Sequence, residues 1–149
     1  MADPEATARA VIESNRYLTL GTADADGLPW VSPVWYATED CRHFYWVSSP
    51  DARHSRNIAA RPDVSIVIFD SQVLPGSAEA VYISAVAERI VDDLDAGLAI
   101  FNVRGEAQGL RRWTRADVQP PAKHRLYRAV AREQFVLDPH DERVPVGTV

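Results

Sequence analysis

Two apolar runs joined by Asp24-Ala25-Asp26-Gly27 constrain the fold more than any other feature of the chain. Asp-Gly between apolar runs favours a tight turn, because glycine readily adopts the positive φ that such turns require. The pattern therefore predicts two antiparallel strands, at residues 17–23 and 29–38. Pro33 has no N–H to donate to a strand ladder, so the second strand is expected at a sheet edge or with a bulge.

Further short strands follow in hairpin order, with two or three short helices among them. No segment alternates strand with helix as a parallel sheet would. The expected fold is therefore mainly β, an antiparallel barrel of about six to seven strands in Greek-key-like order with short helices, in a single domain over residues 1–149. Strands are predicted at 44–47, 64–69 and 80–91 and as a pair within 125–137, and helices at 6–15, from Ser49 onward and at 94–103.

The composition narrows the classes of function. The formal net charge of −5 argues against nucleic acid as the main partner, since that binding requires a basic face to neutralise phosphates. The single cysteine, Cys41, rules out an internal disulfide framework, and no histidine has metal-ligand spacing to another. Without a signal-peptide pattern or a membrane-spanning apolar run, the expectation is a cytoplasmic protein that does not bind a membrane.

The segment SSPDARHSRNI at residues 48–58 has the pattern of an anion site. Ser49 is a good capping residue and Pro50 suits the first helical position, so a helix is predicted to begin there. A helix N-terminus offers unpaired N–H groups and partial positive charge, which suit a phosphate. Arg53 and His54 would add basic side chains in the first turn. An ordinary capped surface helix would show the same residues, and the segment alone leaves that alternative open.

Four stretches in order resemble the pyridoxamine 5′-phosphate oxidase-like family, the flavin-binding split-barrel superfamily. They are LGTADADGLP at 20–29, VSPVWY at 31–36, SSPDARHSRN at 48–57 continued by RPDVSI at 61–66, and VYISAVAERI at 81–90. The resemblance implies a split β-barrel that binds FMN or, as an alternative, a deazaflavin coenzyme. It also implies a homodimer with the cofactor in a groove between the two subunits.

Carried over residue by residue, the resemblance also implies a cofactor site. Arg53 and His54 take the positions of an Arg-Lys pair on the flavin phosphate. Val47 and Ser48 would contact the cofactor, while Ser32 and Val34 would lie on the strand beneath its ring.

Three positions depart from the pyridoxamine phosphate oxidases themselves. Ser32 and Ala37 stand where those enzymes have Arg and Lys, and Ala80 stands where they have a glutamine near the flavin ring. We therefore expect a flavin-dependent oxidoreductase acting on a small molecule other than pyridoxamine phosphate, with a nicotinamide cofactor as a possible electron donor. The catalytic residues stay unknown. A non-catalytic flavin-binding or storage protein is the alternative, and a haem-binding variant of the barrel is a more distant one.

Several other residues invite interpretation. Cys41 lies in a predicted turn and is expected to be a surface residue. Trp113 is interpreted either as a lid over the cofactor ring or as a packing residue at a subunit interface. The Arg111-Arg112 pair is expected on the solvated surface, and nothing in the spacing of Arg125, Arg128 and Arg143 decides whether they reach a ligand.

Overall fold

One antiparallel sheet carries the fold. The computed structural model describes residues 3–147, and within them seven strands pair in a single sheet. The strands are β1 (Tyr17–Ala23), β2 (Pro29–Trp35), β3 (His43–Ser48), β4 (Asp63–Phe69), β5 (Ala80–Arg89), β6 (Arg125–Leu137) and β7 (Arg143–Pro145). The helices are α1 (Pro4–Ser14), α2 (Arg53–Ala60) and α3 (Leu94–Ala107), with a 3₁₀ turn at Arg115–Val118.

The sheet curls into a barrel that is not closed. Its order is β2-β1-β4-β5-β6-β3, with β7 added beside β6, so that β2 and β3 are the two edges. These edges meet at an isolated bridge, in which Ala37 N donates to Tyr45 O (2.9 Å) and Tyr45 N donates to Ala37 O (2.8 Å). The expected antiparallel split barrel is thereby confirmed.

The first hairpin forms as the sequence predicts. Strand β1 has the predicted bounds, and the carboxylate of Asp24 accepts hydrogen bonds from the backbone N–H groups of Asp26 and Leu28, each at 2.9 Å. Gly27 adopts a φ of 87°, which a side chain would disfavour. Strand β2, which carries Pro33, is an edge strand, as its missing N–H requires.

The predictions for residues 125–137 and for Cys41 were wrong. Residues 125–137 form one strand rather than a pair, because β6 contains no Gly, Pro, Asn or Asp at which the chain could turn. It is long enough to pair with both β3 and β5. Cys41 is only 8% exposed rather than a surface residue, since its turn folds inward and its carbonyl accepts a hydrogen bond from the buried Gln134.

The main core lies inside the barrel. Alternate residues of each strand point inward, and α1 covers one end of the barrel with its apolar face. Trp46 and Tyr127 stack within this core, with ring centroids 6.1 Å apart. No helix in residues 3–147 has the length and apolar character needed to cross a membrane.

Helix α3 packs on the outside of the barrel and forms a second, smaller core. Leu94, Leu98 and Phe101 bury against the outer faces of β3 and β6, where they contact Tyr45 and Leu126. The helix approaches closely at Gly97. A Cβ placed there would lie 3.0 Å from Leu126 Cδ2 and 3.2 Å from Tyr45 Cε1.

This contact predicts different effects for two glycines of the same helix. We expect Gly97→Ala to lower the free energy of unfolding by about 1–2 kcal/mol, because the added methyl group overpacks a buried contact. Gly105→Ala is the matched control, since its nearest new neighbour would be Leu110 Cβ at 3.8 Å. It should be neutral or stabilising by up to about 1 kcal/mol through helix propensity. Urea unfolding of both variants tests this, and equal effects would contradict the packing described.

Candidate functional site

A cleft of about 480 Å³ lies where the two edge strands part. One wall consists of Pro33, Val34 and Trp35 of β2 together with Val47 and Ser48 at the end of β3. The other wall comes from α3, the loop after it and His124. The size is that of a small-molecule site. Because β2 and β3 are joined only at the Ala37–Tyr45 bridge, the opening follows directly from the incomplete closure of the barrel.

The cleft brings together four of the six residues predicted to bind a cofactor. Val34, Val47, Ser48 and His54 line it, whereas Ser32 and Arg53 do not. Ser32 lies two residues before Val34 in β2, opposite Leu20 of β1. The guanidinium of Arg53 lies over the ring of Trp30, 4.3 Å from its centroid, at the exposed edge of the sheet.

Helix α2 begins three residues later than predicted. Its first residue is Arg53, not Pro50. Ser49 forms its own turn before the helix, in which Ser49 Oγ accepts from Asp51 N (3.2 Å) and Ser49 O accepts from Ala52 N (3.1 Å). The hydrogen bonds of Ser49 thus form this turn and do not cap the helix. Ala52, which has no polar side chain, occupies the capping position.

The N-terminus of α2 therefore has no side-chain cap and no acidic residue in its first turn. Its first N–H groups carry the partial positive charge of a helix start. Ser48 and His54 adjoin this end of the helix and are buried, at 9% exposure each. An anion placed here would find N–H donors and two polar side chains within one small region.

His54 and Ser48 are hydrogen-bonded to each other, with His54 Nε2 2.9 Å from Ser48 Oγ. Burial lowers the pKa of His54 below its ordinary value, because desolvation penalises the charged imidazolium. At neutral pH the imidazole ring of His54 is therefore uncharged. A lysine, which the family resemblance places at this position, would instead carry a permanent positive charge.

Several residues of the cleft had no binding role in the sequence interpretation. Arg16, Gln108, Arg111 and His124 line it. Arg16 and His124 come from other parts of the sequence than Gln108 and Arg111, and no motif spacing connects the three segments. Arg111 and Arg112 are both exposed, as expected, and Arg111 is the one that reaches the cleft.

Trp113 is a fixed part of the wall. The side chain of Asn102, 5% exposed, holds its backbone with two hydrogen bonds of 2.8 Å, one donated to Trp113 O and one accepted from Trp113 N. The indole packs edge-to-face against Phe101 and His124. These contacts are within one chain, and they anchor Trp113 in the wall of the cleft.

The C-terminal arginines are engaged locally and do not line the cleft. Arg125 donates to the carbonyl oxygens of Ala122 and His124, Arg128 pairs with Glu88, and Arg143 pairs with Asp141. Across residues 3–147 no group of three or more His, Cys, Asp or Glu side chains is placed to hold a metal ion.

Comparison with known proteins agrees with this architecture. The sequence profile of the family described as pyridoxamine 5′-phosphate oxidase matches residues 4–136. The chain belongs to this family. Its resemblance to the family, first seen in four short stretches, is thus confirmed over most of its length.

A curated relative, the pyridoxine/pyridoxamine 5′-phosphate oxidase of Streptomyces avermitilis, is 29% identical over 142 residues, which cover 95% of this chain and 61% of the relative. The chain thus spans about three-fifths of that relative's length.

Among solved structures, a heme binding protein from Mycobacterium smegmatis superposes with a TM-score of 0.73 at 23% identity, covering 97% of this chain and 59% of that one. A structure described as an F420 reductase superposes with a TM-score of 0.61 at 21% identity, covering 85% and 94% of the two chains. At these identities the likeness shows the split-barrel fold.

The buried His54 predicts a pH-dependent stability. Above about pH 6.5 the imidazole is neutral in both the folded and the unfolded chain. As the pH falls below that value, the unfolded chain takes up a proton that folded His54 resists, since its pKa is lowered by burial. The unfolded state then binds more protons, and stability decreases.

We therefore expect the stability of the unsubstituted protein relative to His54→Gln to decrease between about pH 7.5 and pH 5. Glutamine can still hydrogen-bond to Ser48 but does not titrate. Urea unfolding at three pH values measures this difference. Because His43, His124 and His140 are present in both proteins, a difference that stays constant with pH would show that His54 is not resisting protonation.

Proposed function

We propose that this chain is a flavin-dependent oxidoreductase that binds FMN, or alternatively a deazaflavin coenzyme, in the cleft at the split of the barrel. The observation that carries the proposal is the position of an uncapped helix N-terminus, with Ser48 and His54, at one end of an aromatic-walled cleft. Membership of the pyridoxamine 5′-phosphate oxidase family supports it.

The phosphate would be held at the start of α2. The N–H groups of the first turn, the hydroxyl of Ser48 and the imidazole of His54 would donate to its oxygens. A bound dianion would favour the protonated imidazole and so oppose the effect of burial on its pKa. Arg53 lies at the same helix start, is exposed, and would add a bidentate contact by leaving the face of Trp30.

The ring would occupy the space between the edge strands, beside Val34 and Val47. When bound, a flavin supplies hydride transfer at its N5 position, so the protein need only bind, orient and shield the reactants. No carboxylate lines the cleft in the part of the chain that the structure describes, so no Asp or Glu there could act as an acid or base toward a bound substrate.

The substrate we propose is a small molecule other than pyridoxamine phosphate, with a nicotinamide cofactor as the electron donor. Ala37, at a position where the resemblance expects a basic residue, is fully buried in the bridge between the edge strands. Ala80, in place of the family's glutamine, is buried at the start of β5 and does not line the cleft.

We also propose a homodimer formed through the outer face of the sheet. Strand register aligns one row of side chains across five strands on this face. The row consists of Pro33, Thr19, Val67, Tyr82 and Phe135.

Val31, beside this row, is 67% exposed, which is unusual for an apolar side chain on a sheet. Pro33 belongs both to the row and to the cleft, so a second subunit on this face would adjoin the cofactor site.

A haem-binding function is the second candidate. The cleft contains two histidines, His54 and His124, each of which could ligate an iron, and one structural relative is described as a heme binding protein. The absorption spectrum of the purified protein separates the candidates. Flavin absorption supports the flavin proposal, and a Soret band supports haem binding. If the protein takes up none of FMN, a deazaflavin and haem, both candidates are refuted.

Reduction separates an enzyme from a storage protein. Bleaching of the bound flavin by NADH or NADPH, followed by reoxidation with an added acceptor, is the behaviour expected of the oxidoreductase. Stable binding without reduction by either donor would indicate storage.

Arg53 provides a direct test of the phosphate position. We expect Arg53→Ala to weaken FMN binding about tenfold or more while leaving riboflavin binding unchanged, because riboflavin lacks the phosphate. Arg132→Ala is the control, since it removes the same charge from an exposed pair with Asp63. Isothermal titration of both flavins measures the effect. An equal loss for FMN and riboflavin would place the phosphate elsewhere.

The outer sheet face predicts the effect of a surface charge on assembly. We expect the protein to be a dimer in light scattering after size exclusion, and Val31→Glu to shift it to monomer by burying a charge in the contact. Val103→Glu is the matched control, because Val103 is equally exposed, at 71%, but lies on α3. If Val31→Glu forms a dimer as stable as that of the unsubstituted protein, this face is not the dimer interface.

A further inference from the structure

The wall of the cleft that carries Arg111 and Trp113, called here its outer end, is basic in a chain whose net charge is −5. Arg16, Arg111 and His124 line the cleft, and the part of the chain described by the structure contributes no Asp or Glu to the lining. The Asp and Glu residues of the chain outnumber Lys and Arg by 21 to 16, so this separation of charge is local. A cleft walled by cations and aromatic rings favours an anionic, planar ligand.

The side chain of Arg111 is held in a defined position. Its guanidinium stacks on Trp113, 3.9 Å from the ring centroid, and Trp113 is itself clamped by Asn102. Stacking leaves the edge of the guanidinium, where the N–H groups lie, directed away from the ring face.

One carboxylate competes for Arg111. Asp117 Oδ2 lies 3.4 Å from Arg111 Nη1, a long contact between partly exposed groups. The same oxygen accepts shorter hydrogen bonds from Thr114, at 2.7 Å from N and 3.1 Å from Oγ1. Asp117 is thus held mainly by Thr114 in the cap of the 3₁₀ turn, and most of the N–H donors of Arg111 are left for another partner.

The aromatic wall beside Arg111 is rigid. Trp35 packs edge-to-face on Phe101, Phe101 on Trp113 and Trp113 on His124. Trp35 is fixed further by a hydrogen bond of 2.8 Å from its Nε1 to Gln108 Oε1. A planar ligand therefore meets a preorganised apolar surface with a bidentate donor at its border.

We propose that the outer end of the cleft binds an aromatic carboxylate, with the carboxylate on Arg111 and the ring against Trp113 and His124. This molecule would be the substrate. That assignment rests on the proposed function, in which the flavin occupies the inner end between Ser48 and Val34. Binding of the carboxylate itself depends only on the residues at the outer end.

A pair of isosteric probes tests the site. In ¹⁹F NMR titrations of the protein with and without added FMN, 4-fluorobenzoate should bind about fivefold or more tighter than 4-fluorobenzamide, because only the former carries the charge. Arg111→Gln should abolish this preference. Arg112→Gln is the control, since the neighbouring Arg112 is exposed, pairs with Glu106 and does not line the cleft.

Arg111→Lys should keep part of the preference, because the charge remains although the bidentate geometry is lost. Equal binding of the two probes, or equal effects of Arg111→Gln and Arg112→Gln, would overturn the proposal. Urea unfolding of each variant establishes that it is folded.

Competition separates failure of this proposal from failure of the proposed function. If FMN displaces 4-fluorobenzoate, the outer cations belong to the cofactor site and the substrate assignment is overturned. If the protein binds no flavin but retains the Arg111-dependent preference for 4-fluorobenzoate, the flavin proposal fails and the carboxylate site stands. Joint binding of FMN and 4-fluorobenzoate supports both.

Discussion

The two hydrogen bonds between Ala37 and Tyr45 determine where the barrel is joined and where it stays open. Beyond this bridge the edge strands part and leave the cleft between Pro33–Trp35 and the end of β3, with α3 forming part of its other wall. Every candidate contact described above depends on that geometry, because a fully closed sheet would leave no space between β2 and β3. The site is therefore a consequence of incomplete strand pairing rather than a cavity within the core.

The two ends of the cleft differ in how they are built. The inner end uses backbone, since α2 begins without a side-chain cap and presents its first N–H groups beside Ser48 and a neutral His54. The outer end uses side chains, with Arg111 stacked on a tryptophan that Asn102 holds in place. Such a division suits a cofactor phosphate at one end and a smaller anion at the other, and the chemistry would be supplied by the cofactor.

Local patterns predicted the elements with local causes. The Asp24–Gly27 turn, strand β1 and the edge position of β2 follow from residues within a few positions of one another. Of the predictions that failed, those for residues 125–137 and Cys41 depended on distant partners, whereas the helix start predicted at Ser49 lost to a competing local turn. Ser49 does not cap α2, because it is hydrogen-bonded to Asp51 and Ala52 in its own turn. Residues 125–137 form one strand, because both β3 and β5 pair with it. Cys41 is buried by contacts with β6, which no local pattern contains.

The sequence by itself determined the fold class and the order of the first hairpins, because turn residues and strand alternation are short-range properties. It also predicted the segment in which the proposed phosphate site lies. Tertiary structure alone decided that Val34, Val47, Ser48 and His54 share one cleft while Arg53 stacks outside it on Trp30. It also decided that Arg16, Arg111 and His124, which have no common spacing, line the same cleft. Side chains so far apart in the chain meet only when the sheet curls and α3 packs across its split, and that closure is a property of the whole core rather than of any segment.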